Sequence, residues 1–97
     1  MYIATQEQID AWKEEHGDVI KLSSKKYDKA AYFRKPKRKE MDFISQNKSG
    51  LKFNAALLNA CHLAGDKEIQ DNDDIFLGLA DKIPALLTFD VVEVEKL

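Results

Sequence analysis

Residues 18–34, DVIKLSSKKYDKAAYFR, decide the fold class. Val19, Ile20, Tyr32 and Phe33 are β-branched or aromatic, the side chains that suit a pleated, half-buried surface. Between DVIKL (18–22) and AAYFR (30–34) lies SSKKYDK, a polar connector whose serines and Asp favour a turn. Two strands joined by such a connector predict a β-hairpin. Because strand side chains alternate, Phe33 and one of its neighbours should face the core.

The segments on either side read as helix. Upstream, Thr5 with Gln8 three residues on forms a capping-box pattern, and Ile9 and Trp12 share one face. Gly17 is placed to end that helix, with His16 in its last turn, where a positive charge complements the dipole. Downstream, Pro36 cannot donate to a ladder but fits the first turn of a helix, expected over 37–47 with Met41 and Ile44 inward. After NKSG, the apolar residues Phe53, Ala56, Leu57, Ala60, Cys61 and Ala64 recur at helical spacing, with Leu51, Leu58 and His62 as a second edge.

Residues 64–74, AGDKEIQDNDD, read as a loop, in which Asn72, Asp73 and Asp74 cap a following helix. Phe76, Leu79, Ala80, Ile83 and Leu87 form the stripe of that helix, and Pro84 should kink or break it near Ile83. The tail TFDVVEVEKL carries two patterns. Val92 and Val94 alternate with Glu93 and Glu95 as in a strand, whereas Asp90 with Glu93 and Phe89 with Val94 have cap and staple spacing. The second pattern predicts a final helical turn or two. The expected architecture is therefore α+β: an N-terminal helix, a short hairpin, then three to four packed helices in a single domain over 1–97.

A hydrophobic content of 44% and a charged content of 33% belong to a globular chain, and no apolar run is long enough to span a membrane. The start, MYIATQEQIDAW, has none of the features of a signal peptide, and Cys61 is the only cysteine, so a reducing cytoplasm is the expected setting. The formal net charge of −2 is unevenly spread. Residues 1–20 carry one Lys against five acids, residues 21–52 eleven Lys/Arg against three, and residues 64–97 three against nine. Such segregation can create a basic face on an acidic protein, or be neutralised within the fold.

Groups for catalysis are sparse. Cys61 and His62 are adjacent on the helical pattern and so point about 100° apart, which makes no nucleophile pair. A buried cysteine is usually a small core hydrophobe. One Cys and two distant His make no metal-ligand cluster, and DKEIQDNDD lacks the framework of a calcium loop. Phosphate-cradling glycine motifs are absent. No catalytic, cofactor-binding or metal-binding residue is expected, and no enzyme. The candidate contact surface is the basic passage with Tyr32, Arg34, Lys35, Lys37, Arg38 and Lys39. Three readings stand for it: a solvated seam between strand and helix, a protein-contact surface, or a phosphate-binding patch.

ATQEQIDAWKEEHGDVI, YFRKPKRKEMDFI, LLNACHLAGDKEI and LADKIPALL, in that order, resemble small proteins of tailed bacteriophages and prophages, in particular the tail assembly chaperone type. The resemblance covers most of the chain. It implies a small α+β protein of virion morphogenesis in the host cytoplasm that coats the long helical tape-measure protein until tail-tube subunits polymerise around it. Such chaperones tend to self-associate, many are made in two lengths by translational frameshifting, and the type has no catalytic residue to carry over. The alternative is a small nucleic-acid-binding or regulatory protein using residues 34–39.

Overall fold

The computed structural model describes residues 1–97. Five α-helices, three strands and a 3-10 turn follow in the order α1 (Gln6–His16), β1 (Val19–Ser24), β2 (Lys29–Arg34), α2 (Arg38–Ile44), α3 (Gly50–Cys61), β3 (His62–Gly65), α4 (Glu68–Asp71), α5 (Asp73–Gly78) and the 3-10 turn Ile83–Leu87. The class is α+β, as the hairpin predicts, with an antiparallel three-stranded sheet in the order β1-β2-β3.

Register sets the layers. Ile20 lies opposite Phe33 and Leu22 opposite Ala31, so these four share the face that packs on the helices. Phe33, Ile44, Leu57, Leu58, Cys61, Ile69 and Leu86 are the largest fully buried side chains of that core. Tyr32 points to the opposite face, where its ring lies 5.6 Å from Trp12 of α1 and 6.0 Å from Tyr2. The sheet is thus sandwiched between α1 on one side and α2–α5 on the other. Thr5 caps α1 through a capping box with Gln8, as its spacing predicts.

Five expectations are corrected. His62 and Ala64 do not extend α3; His62 turns to φ −63°, ψ 125° and residues 62–65 become β3. The ladder with β2 competes with one more helical turn and prevails, and Arg34 satisfies the last-turn carbonyl of Ala60 at 2.9 Å. The supposed loop after it holds α4, whose Ile69 is fully buried and anchors the segment. The stripe beyond Asp74 is not one helix kinked at Ile83, because α5 already ends at Gly78. Its buried set is Ile75, Leu79, Ile83 and Leu86, while Ala80 is exposed and Phe76 and Leu87 are half-buried. Residues 88–97 form no helical turn, for a turn with no apolar surface to cover it does not repay its nucleation. The second helix is also shorter than 37–47, although Ile44 is buried as expected.

Gly65 makes the β3 crossing feasible. Its φ is +122°, and a Cβ there would lie 2.6 Å from the Ala30 oxygen and the Ala31 Cα. Asp66, next along, accepts from the amides of Ala30 (3.0 Å) and Tyr2 (3.1 Å), tying the N-terminal segment to the sheet. These two donors hold its carboxyl below the usual range.

Candidate partner-binding surface

The six basic-passage residues divide into those the fold uses and those it leaves free. Tyr32 belongs to the first group: it is 4% exposed, and its hydroxyl accepts from the Ala4 amide at 3.3 Å. This corrects its assignment to the contact surface, because a ring held between Trp12 and Tyr2 cannot stack on a partner.

Arg34, at the end of β2, faces α2. Its guanidinium donates to both Glu40 oxygens at 2.7 Å while Nη2 also reaches the Ala60 carbonyl at 2.9 Å. One fork therefore joins β2, α2 and the C-terminus of α3, a geometry only arginine provides. Glu40 in turn accepts from the Lys37 amide at 2.9 Å, which caps α2. The Arg34 hydrogen bonds, helped by that amide, draw the Glu40 carboxyl from 4.5 down to about 2. Lys35 is likewise engaged, 2.7 Å from Asp18 and 5.9 Å from the centre of the Phe89 ring.

Lys37, Arg38 and Lys39 differ. All three are exposed and none makes an ion pair within 4.0 Å. Phe43, 69% exposed, lies one turn beyond Lys39 and so shares its helix face. Sequence reasoning passed over Phe43, although its offset from the inward Met41 and Ile44 was a readable signal. Leu51, read as an apolar edge of α3, is instead 53% exposed and lies between Lys48 and Lys52 in sequence. What remains of the passage is a cationic start to α2 at Lys37–Lys39, followed by exposed Asp42 and an uncovered aromatic ring at Phe43, a combination that suits an acidic and apolar partner.

Elsewhere the chemistry is quiet. Cys61 is fully buried, and burial pushes its thiol up to about 11, so it is not a ready nucleophile. Burial lowers the pKa of His62, whose ring packs edge-on to Phe33 with centroids 5.5 Å apart. No group of three or more His, Cys, Asp or Glu converges. Two shallow depressions, of about 280 and 360 Å³, flank α5. No helix is long and apolar enough to cross a membrane. Compared with protein-family models, curated proteins and solved structures, the chain matches none.

Proposed function

We propose that this chain is a non-catalytic binding protein that engages a protein partner through the exposed face of α2. The observation that supports it is the run Lys37, Arg38 and Lys39, free of ion pairs, with Phe43 uncovered on the same helix. The resemblance described above supplies the identity of the partner in this proposal. It is the tape-measure protein of a phage or prophage tail, long and helical, held soluble in the cytoplasm of the bacterial host until the tail tube forms.

The test is an affinity pull-down of tagged protein from cells expressing the surrounding gene cluster, with and without nuclease. Retention of a long helical tail protein after nuclease, lost in the triple variant Lys37→Glu, Arg38→Glu, Lys39→Glu, is the expected result. These three side chains make no hydrogen bond or ion pair within the fold, so the variant should fold. Recovery of nucleic acid alone, with affinity falling steeply as salt rises, would replace this reading with the phosphate-binding alternative.

A further inference from the structure

The strand β1 is an edge. Its backbone bonds only to β2, so the outward N–H and C=O groups of residues 19–24 have no backbone partner. The same molecule carries a segment with strand patterning and nothing to pair with: Val91, Val92 and Val94 are 87%, 74% and 93% exposed, and Glu93 and Glu95 alternate with them. The radius of gyration, 14.7 Å, exceeds the roughly 12.5 Å of a compact chain of this length, as a tail standing clear of the body requires.

We propose that β1 receives residues 90–96 of a second copy of this chain as an antiparallel fourth strand, each tail crossing to the other molecule's sheet in a two-fold dimer. One register aligns two apolar pairs and two charge pairs, with Val91 left opposite Ser23 and Glu95 opposite Val19. Val92 falls opposite Leu22 and Val94 opposite Ile20, extending the apolar row on the helix side of the sheet. Glu93 falls opposite Lys21, and Lys96 opposite Asp18. A shift of one residue would drive Glu93 into the apolar row. The parallel alternative keeps Glu93 opposite Lys21 but sets Asp90 against Asp18.

The geometry also requires the strand to come from another molecule. Phe89 lies beside Lys35, which holds Asp18, so the tail leaves the body at the Asp18 end of β1. The antiparallel register needs Asp90 at the Ser24 end, six residues and roughly 20 Å away at strand rise. A single peptide link covers about 3.8 Å. The tail of the same chain therefore cannot enter this register, whereas that of a second copy can, and two-fold symmetry makes the exchange reciprocal. This contact is separate from the α2 face and stands independently of the partner proposed for it.

Sedimentation equilibrium of the full chain tests the proposal. A concentration-dependent dimer is expected, and Lys21→Glu and Glu93→Lys should each raise its dissociation constant about tenfold, since each reverses one cross-strand charge in both ladders. An equimolar mixture of the two variants should regain wild-type affinity, because both ladders then pair opposite charges. Deletion of residues 90–97 should leave a folded monomer. A wild-type chain that stays monomeric, a dimer that survives the deletion, or a mixture that fails to recover would each overturn the proposal. Loss of the dimer in the 37–39 charge-reversed variant would move the contact to α2 and overturn it as well.

Discussion

Arg34 carries more of the structure than its place in a charge run suggests. A strand end, a helix start and a helix end all depend on one guanidinium that is 14% exposed. Arg34→Ala leaves Glu40 and the Ala60 carbonyl without their donor, and should cost about 2 kcal/mol in urea unfolding. Arg34→Lys should recover little of it, since an ammonium cannot fork to both oxygens. The pH dependence has a definite sign. Because folding lowers the Glu40 carboxyl from 4.5 to about 2, its contribution is complete above pH 4.5 and fades as pH falls toward about 2. Unfolding midpoints measured across that window should decline in the wild type and less steeply in Arg34→Ala, where Asp66 and Asp74 still contribute. Gly65 makes the second residue-level prediction. Gly65→Ala must relieve two backbone contacts at 2.6 Å at a positive φ, and should lower stability by about 3 kcal/mol, read by urea unfolding.

At the scale of elements, the unexpected pieces are the short ones. Neither β3 nor α4 exceeds four residues, and neither has a periodicity that a window of sequence can detect. Each is held by tertiary contacts: β3 by its ladder with β2, and α4 by Ile69, which reaches the core from between the polar Glu68 and Gln70. Ile69→Ala should therefore behave as a core truncation rather than a loop substitution, with a loss of about 2–4 kcal/mol in chemical denaturation. A loss below about 0.5 kcal/mol, usual for surface positions, would contradict the packing of α4. The turn of the hairpin is similarly tied: Lys26 and Tyr27 both reach Asp74 at the start of α5, at 3.0 and 2.8 Å. These contacts hold the Asp74 carboxyl below its usual range, the Lys26 hydrogen bond most of all.

Across the whole molecule, the charge segregation seen in sequence is only partly cancelled by folding. Lys26 and Lys35 take acidic partners from other segments and Arg34 takes one from its own, while Lys37, Arg38 and Lys39 keep theirs unpaired. The acidic tail keeps its charges too. Residues 90–97 add no buried surface and no hydrogen bond to the body, so their deletion should leave the thermal midpoint of dilute protein within about 1 °C while altering any self-association. Differential scanning at low concentration checks the first half of that statement.

The sequence alone determined the features whose causes lie within a few residues. The capping box of α1 needs only Thr5 and Gln8, the hairpin needs two β-branched and aromatic runs with a polar connector, and α3 repeats its apolar side chains every turn. Burial of Phe33, Ile44 and Cys61 followed from those periods. The tertiary structure decided what depends on competition between distant segments. It made residues 62–65 a strand because β2 offered a ladder, Ile69 a core residue because a space lay beneath it, and Tyr32 a buried ring because α1 folded over it. It also divided the basic passage, for whether a cation is free depends on which carboxylates the fold brings within reach. Glu40 reached Arg34 and Asp18 reached Lys35, and none reached Lys37, Arg38 or Lys39.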